Sequence, residues 1–167
     1  YSCDLLPADD GETKYHYQGD IRDILYDDWD LMIAFPPCTH LAVSGARWFK
    51  DKVQEQQEAL EFVRMLMDAP IPKIAIENPV SVISSRIRKP DQIIQPWWFG
   101  DPVQKSTCLW LKGLPLLTKT NDVYKEMMEL PRKEREKIWY APPGPDRWKI
   151  RSTTFPGFAS AMAEQWG

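Results

Sequence analysis

One cysteine and one glutamate each follow directly after an apolar segment that predicts a buried strand. The first segment reads Asp30-Leu31-Met32-Ile33-Ala34-Phe35-Pro36-Pro37-Cys38, and the second reads Lys73-Ile74-Ala75-Ile76-Glu77-Asn78-Pro79. In open α/β folds the chemistry lies at the carboxyl ends of parallel strands. If the two strands are neighbours, the Cys38 thiol and the Glu77 carboxyl group emerge into one crevice. This pair predicts a nucleophile and an acid that act on one substrate.

Cys38 occupies a position that favours a reactive thiol over a buried one. A lone cysteine in an apolar stretch is most often a small core residue. Cys38, however, lies just beyond the predicted strand and follows Pro36 and Pro37, which fix their φ angles and lack N–H groups. A nucleophilic cysteine needs exposure of this kind. We therefore interpret Cys38 as a candidate nucleophile.

Placing the Glu77 carboxylate directly after a buried strand costs free energy unless the charge is paired. A carboxylate kept at such a position without a partner would suggest a role in chemistry. A structural interpretation pairs it with a backbone N–H group or with an arginine such as Arg47 or Arg86. A functional interpretation makes it the acid of the site, oriented by the turn at Asn78 and Pro79. The residues alone leave both interpretations open.

Other cysteine chemistries fit the spacing less well. A phosphatase loop needs an arginine a few residues after the cysteine, whereas Arg47 is nine positions from Cys38. Zinc needs clustered ligands, and no Cys-x-x-Cys spacing occurs in the sequence, so we expect no metal site. His40, two residues after Cys38, remains an alternative as the base of a Cys/His pair.

The composition predicts a single globular domain. The chain has 167 residues with an ordinary hydrophobic fraction of 43%. No apolar run approaches the roughly 18 residues of a membrane-spanning helix, and no charged-then-apolar leader opens the sequence. Three cysteines without paired spacing do not suggest a disulfide framework. We expect a soluble, intracellular protein with reduced thiols and no membrane contact.

The net charge of −3 conceals a gradient along the chain. Residues 1–85 carry seven Lys and Arg against fifteen Asp and Glu, whereas residues 86–167 carry fourteen against nine. The basic clusters are Arg86, Arg88 and Lys89, then Arg132, Lys133, Arg135 and Lys137, then Arg147, Lys149 and Arg151. They could face a phosphate backbone, with the eight tryptophans stacking on bases, or they could be ordinary solvated surface.

The pattern of elements predicts an α/β fold. Apolar residues recur at helical spacing from Asp51 to Asp68, between the strands at 31–35 and 73–77, which predicts a crossover unit and a parallel sheet. Further predicted elements are strands at 1–5, 15–18, 92–98 and 106–112, a helical turn at 21–25 and a last helix at 156–165. The segment 36–49 predicts a loop that can move over a ligand. The segment 118–148 predicts a polar region with one or two short helices.

Pro36-Pro37-Cys38 followed by Glu77-Asn78-Pro79 resembles the catalytic pair of the DNA (cytosine-5) methyltransferases, whose signatures are Pro-Cys and Glu-Asn-Val. The segment 104–111 resembles that family's Gln-x-Arg-x-Arg strand, and the whole pattern looks like a compact phage or prophage subgroup. The resemblance covers about residues 1–117 and 145–167. It implies a Rossmann-like, S-adenosylmethionine-dependent methyltransferase fold, with a mostly parallel sheet and flanking helices. It also implies one catalytic domain over 1–167, with a short variable insert at about 118–148 in place of a full target-recognition domain.

The same resemblance implies S-adenosylmethionine as the cofactor. Gly19-Asp20-Ile21 looks like the family motif whose aspartate hydrogen-bonds the adenine, and Asp4 looks like the acidic residue that holds the ribose hydroxyls. The implied cofactor-binding residues are Asp4, Leu5, Asp20, Ile21 and Pro36. Residues 152–165 look like the closing helix that packs back on the cofactor pocket.

The implied activity is methyl transfer to C5 of cytosine in DNA, on a base flipped out of the stack. In this family chemistry the Cys38 thiolate adds to C6, and Glu77 protonates or hydrogen-bonds N3. The implied substrate-binding residues are Pro37, Ser44, Arg47, Asn78, Lys105 and Thr107. A protein of this kind is expected in the cytoplasm of a bacterium or a phage-infected host cell, in the setting of restriction-modification.

The chain departs from the family pattern in ways that define two alternatives. None of the eight glycines forms a Gly-x-Gly turn, and Ser106 and Cys108 stand where the strand motif has arginines. We therefore expect the first strand of the fold to be missing from this chain. One alternative is a catalytically inactive, methyltransferase-like module that binds nucleic acid. The other is a subunit of a homo-oligomer or of a complex with a complementing chain, because a sheet lacking a central strand exposes an edge.

Overall fold

The computed structural model of the protein describes residues 1–145 and 147–167, without the side chain of Trp48. The fold is mixed α/β. The strands are β1 (Ser2–Asp4), β2 (His16–Gln18), β3 (Leu31–Ala34), β4 (Lys73–Pro79), β5 (Gln92–Ile94) and β6 (Thr107–Lys112). The α-helices are α1 (Val53–Asp68), α2 (Ile83–Arg86), α3 (Tyr124–Glu129), α4 (Arg132–Arg135), α5 (Arg147–Ser152) and α6 (Pro156–Trp166). Short 3-10 helices span Ile21–Asp23, Val43–Asp51 and Pro96–Trp98.

The strands form two sheets. β1 and β2 make a two-stranded parallel sheet, and the other strands make a four-stranded sheet in the order β3-β4-β6-β5. β3 and β4 are parallel neighbours in which Ala34 pairs with Ile76. This confirms the predicted crossover unit, in which α1 connects the two strands.

The prediction of a mostly parallel sheet is wrong for the four-stranded sheet, which is mixed. β6 is antiparallel to both of its neighbours, β4 and β5. A parallel return needs a crossover, usually a helix, whereas the segment between β5 and β6 contains only the 3-10 turn Pro96–Trp98. Since β6 runs against both neighbours, β3, β4 and β5 all run in one direction.

Helices cover the two faces of the four-stranded sheet because side chains alternate between faces along each strand. Ile74 and Ile76 of β4 pack in one core cluster, together with the buried α1 residues Leu60, Val63 and Leu66. Ala75 of β4 packs in a second cluster, together with the α6 residues Phe158, Ala161, Met162 and Trp166. The result is a layer of sheet between α1 and α6.

The remaining predicted elements are found with shifted boundaries. The helix predicted at 51–68 begins at Val53, the strand predicted at 92–98 ends at Ile94 before Pro96, and the last helix ends at Trp166. The loop predicted at 36–49 contains the start of the 3-10 helix Val43–Asp51. Among the described residues, no helix combines the length and apolar character needed to cross a membrane.

Candidate functional site

The ends of β3 and β4 are joined by a buried hydrogen bond. The Asn78 side chain is only 1% exposed, and its Nδ2 donates to the carbonyl oxygen of Pro36 at 2.9 Å. Pro36 is the residue through which the chain leaves β3 toward Cys38. The bond therefore fixes the turn that carries the thiol against the strand end that carries Glu77.

The Cys38 turn is closed by its own backbone. The Cys38 carbonyl accepts hydrogen bonds from the N–H groups of Leu41 and Ala42 at 3.0 and 2.9 Å. The chain then runs along the segment that follows β4, because the Val43 N–H donates to Val80 and the Val82 N–H donates to Leu41. Cys38 is exposed on this fixed turn. Its position beside the end of β4 agrees with the sequence prediction that the two strand ends are neighbours.

Glu77 points into a narrow cleft beneath α6. Lys105, Thr107, Thr154, Phe155 and Phe158 contribute to its walls. The cleft volume is about 10 Å³, which admits at most one water molecule. Glu77 is partly buried at this cleft, and in the described conformation a ring-shaped ligand enters only if the walls separate.

Burial raises the pKa of the Glu77 carboxyl group above its usual value of 4.5, and the Lys105 ammonium and the Thr107 hydroxyl oppose this rise. The Thr107 hydroxyl also faces the Lys105 carbonyl oxygen at 3.5 Å, which is too long for a strong bond. The Thr107 hydroxyl proton is therefore available for a hydrogen bond to the Glu77 carboxylate. The net effect of burial is a carboxyl group that keeps its proton to higher pH than an exposed one and can donate it.

Lys105 is held at the wall of the cleft by three contacts. Its N–H donates to the Gln95 side chain at 3.0 Å, and its ammonium donates to the Arg151 carbonyl oxygen at 3.2 Å. The ammonium also lies 5.8 Å from the centre of the Phe155 ring. These contacts join the segment before β6 to the end of β5, to α5 and to the segment leading into α6.

The structure gathers only some of the predicted site residues. Glu77, Lys105 and Thr107 share the cleft. Cys38 and Pro37 lie on the exposed turn outside the lining of the cleft, and Ser44 and Arg47 are exposed on the 3-10 helix that follows. Sequence reasoning missed Thr154, Phe155 and Phe158, which it had assigned to a helix closing the cofactor pocket. Only the approach of α6 to the sheet reveals them.

Buried polar atoms without hydrogen-bond partners occur around the Cys38 turn. Within residues 1–145 and 147–167, they include His40 Nδ1, Asn78 Oδ1 and Ser81 Oγ. Ser81 pairs with Ala42 in an isolated bridge. The unpaired atoms therefore come both from the Cys38 turn and from the segment that follows β4. Unsatisfied buried polar groups are costly and call for a bound water or a functional role. His40 therefore stays open as a base near the thiol.

The residues expected to bind the cofactor lie at one end of the two-stranded sheet. The Gly19 N–H donates to the Asp4 carbonyl oxygen at 2.9 Å, so the parallel strands deliver Asp4 and Asp20 to the same edge. Asp4 accepts from the Leu6 N–H, and Asp20 caps the turn at Ile21–Asp23 and pairs with Arg22 at 2.9 Å. Leu5 is 71% exposed, Ile21 packs on the core and Pro36 is buried.

The other two cysteines have surroundings unlike those of Cys38. Cys108 is buried in the core, and burial followed by the nearby Glu77 raises the pKa of its thiol. Cys3 is partly buried, and burial followed by Asp4 raises the pKa of its thiol. Both are neutral thiols at physiological pH. In the part of the chain that is described, no three His, Cys, Asp or Glu side chains are grouped to hold a metal ion.

Comparison of the sequence and fold with protein-family models, curated proteins and solved structures finds no match. Function is therefore inferred from the chemistry of the site residues themselves.

Proposed function

We propose that this protein transfers a methyl group to C5 of cytosine in DNA, as a Rossmann-like methyltransferase of the cytosine-5 type. The observation that carries the proposal is the 2.9 Å bond from Asn78 to the Pro36 carbonyl oxygen, which holds the Cys38 turn beside the strand end of Glu77. A thiol and a carboxyl group whose pKa is raised by burial, at adjoining strand ends, suit attack on an activated pyrimidine ring.

The chemistry follows from the weak nucleophilicity of cytosine C5. The Cys38 thiolate adds to C6 while Glu77 donates its proton to N3, which gives a ring whose C5 is nucleophilic. C5 then takes the methyl group, whose bond to the sulfonium sulfur of the methyl donor breaks. The C5 proton leaves to a base, the C6–sulfur bond breaks to release the Cys38 thiolate, and N3 returns its proton to Glu77. Asn78 acts by positioning, since its amide fixes the Cys38 turn.

The residues at the edge of the two-stranded sheet fit the nucleoside part of S-adenosylmethionine. Asp4 and Asp20 place two carboxylates at one edge, which matches the hydroxyl and amino donors of an adenosine group. Exposed Leu5 provides an apolar surface beside them. When bound, S-adenosylmethionine supplies an electrophilic methyl group, and these residues would hold and orient it.

The cleft at Glu77 must widen to take a base. A volume of about 10 Å³ is far below that of a pyrimidine ring, and Cys38 lies outside the walls. Thr154 and Phe155 belong to the short connection between α5 and α6, and the exposed 3-10 helix with Ser44 and Arg47 adjoins the Cys38 turn. We infer that these two segments separate when a flipped base enters, with Ser44 and Arg47 at the DNA backbone.

The strand directions support this fold assignment. β3, β4 and β5 run in one direction with β6 reversed between two of them, and open α/β sheets often carry one antiparallel strand. The candidate residues Cys38 and Glu77 follow or end the two parallel neighbours, where such folds place their sites.

Detection of 5-methylcytosine by nucleoside mass spectrometry tests the proposal. The protein is incubated with S-adenosylmethionine and with single-stranded or duplex DNA, and the DNA is then digested. We expect 5-methylcytosine with the parent protein and with Cys3→Ser, and none with Cys38→Ser or Glu77→Gln. Product from Cys38→Ser at the parent level would refute the role of the thiol.

A second candidate is a methyltransferase-like module that binds nucleic acid without catalysis. The narrow cleft and the position of Cys38 outside its walls favour this candidate. The two candidates differ in a measurable way, because both bind DNA but only the enzyme forms 5-methylcytosine and depends on Cys38.

A further inference from the structure

A second, larger groove opens beside the Glu77 cleft and has no part in the chemistry proposed above. Its volume is about 520 Å³, and it shares the wall residues Thr154 and Phe155 with that cleft. Ligand sites commonly have volumes of about 300 to 1,000 Å³. The groove is therefore large enough for a nucleotide, and Thr154 and Phe155 separate it from the cleft that holds Glu77.

The groove combines two lysines with an apolar floor. Lys133 of α4 and Lys137 in the turn after it line the groove together with the apolar residues Ala141, Ile150 and Phe155. In the described part of the chain, neither lysine forms an ion pair. By contrast, Arg132 pairs with Glu136 at 3.0 Å, and Lys149 pairs with Asp9 at 2.8 Å. Two ammonium groups are thus left for an external anion, in a segment (132–151) with seven Lys and Arg against three Asp and Glu.

Exposed aromatic residues occur in the segments that line the same groove. Tyr140 lines the groove and is 43% exposed. Trp139, 63% exposed, stands in the chain between the lining residues Ile138 and Tyr140. Trp148, 60% exposed, precedes the lining residue Ile150 by two positions. The Arg147 side chain donates to the Trp139 carbonyl oxygen in a long bond of 3.4 Å, so the start of α5 lies beside the turn that carries Trp139. Large apolar rings left in water beside free ammonium groups are the composition of surfaces that bind single-stranded nucleic acid.

We propose that this groove binds a single-stranded stretch of DNA, with backbone phosphates at Lys133 and Lys137 and unpaired bases stacked on Trp139 and Trp148. The inference rests on the proposed methyl transfer, because the shared wall at Thr154 and Phe155 brings the bound strand to Glu77. A duplex keeps its base faces stacked on one another and cannot offer them to indole rings. The preferred substrate is therefore cytosine in an unpaired strand.

Fluorescence anisotropy with a labelled DNA strand of about 12 nucleotides, and with the matching duplex, tests this inference. The whole protein binds the single strand more tightly than the duplex. In Lys133→Gln/Lys137→Gln, affinity for the single strand falls about 10- to 30-fold at about 0.1 M salt, and the slope of log K against log salt decreases by about 1.4, at about 0.7 per phosphate. The control Lys73→Gln/Lys89→Gln, near the opposite end of the sheet, binds as the parent does.

A second pair of variants tests the stacking. Trp139→Ala/Trp148→Ala weakens binding of the single strand about fivefold or more for each base that loses its ring, with the salt slope unchanged. Thermal unfolding of each variant shows that the fold is intact, since all four side chains are exposed.

Parent-like affinity of Lys133→Gln/Lys137→Gln would overturn the inference, as would binding of the duplex at least as tight as that of the single strand. Binding of anionic lipid vesicles through these lysines, with no binding of either DNA, would overturn it too. Binding of the single strand without formation of 5-methylcytosine would support the groove as a DNA-binding site and refute the proposed methyl transfer. Methylation of duplex DNA at an unchanged rate in the lysine variants would support methyl transfer and refute the role of the groove.

Discussion

Glu77→Gln should stabilise the fold at neutral and alkaline pH, because the position of Glu77 disfavours the charged form of its carboxyl group. Burial raises the pKa of Glu77 above 4.5, so the folded protein holds a proton that the unfolded chain releases as pH rises. Folding stability from this group is complete below about pH 4.5 and is lost as pH rises through the raised pKa. Glutamine has nearly the same shape and never ionises, so it removes this loss.

The size of the effect follows from the contacts of the carboxylate. Leaving a buried polar group poorly satisfied costs about 1 to 3 kcal/mol, and Lys105 and Thr107 offset only part of the cost of the charge. At pH 8 we expect Glu77→Gln to exceed the parent by about 1 to 3 kcal/mol, or about 2 to 12 °C in Tm for a chain of this size. At pH 4 the two proteins should unfold at nearly the same temperature.

Thermal unfolding followed by circular dichroism from pH 4 to pH 9 measures this difference. Glu61→Gln is the matched control, because Glu61 is exposed on α1 and its bond from Gln57 Nε2 survives in the amide. The control should show no pH-dependent gain. A Glu77→Gln protein that is less stable than the parent at every pH, or a difference that does not change with pH, would refute the reasoning.

Three further perturbations test the surroundings of the site. Asn78→Ala leaves the Pro36 carbonyl oxygen without its 2.9 Å donor, so the free energy of unfolding in urea should fall by about 1 to 3 kcal/mol, and an unchanged value would contradict the bond. Gly113→Ala should destabilise the fold more than Gly11→Ala, because both glycines have positive φ angles but only a Cβ at residue 113 collides with the Pro72 carbonyl oxygen; equal losses by urea unfolding would contradict the close approach. Thiol labelling of the native protein should modify Cys38 first and Cys108 only after unfolding, as read by peptide mass spectrometry, and early labelling of Cys108 would contradict its burial.

The central unit of the fold could be predicted because its signals are local. The apolar strands before Cys38 and at Glu77, with a helical repeat between them, dictate a parallel pair joined by a crossover. No local sequence pattern predicted the direction of β6. It depends on how the segment 95–106 turns back without a helix, and on β6 pairing with β4 across a long stretch of chain. Propensity and periodicity report neither of these properties.

The candidate site was predictable only in part for a similar reason. Glu77 could be selected because it stands at a strand end, and Lys105 and Thr107 through the resemblance of the segment 104–111 to a family motif. The structure places all three in one cleft. Thr154, Phe155 and Phe158 reach that cleft through the packing of α6 on the sheet, which no spacing in the sequence encodes. The sequence showed the basic clusters as groups of Lys and Arg residues. The position of Lys133, Lys137 and Tyr140 around one groove emerges only from the fold.

The most direct measurement is covalent trapping on DNA that carries 5-fluorocytosine, whose fluorine cannot leave as the C5 proton does. The protein is incubated with this DNA and S-adenosylmethionine, denatured, and analysed by gel mobility and peptide mass spectrometry. Methyl transfer through Cys38 predicts a stable adduct of one protein with one DNA strand, bonded at Cys38 and absent in Cys38→Ser. No adduct under conditions in which the DNA is bound, or an adduct at another cysteine, would contradict the account.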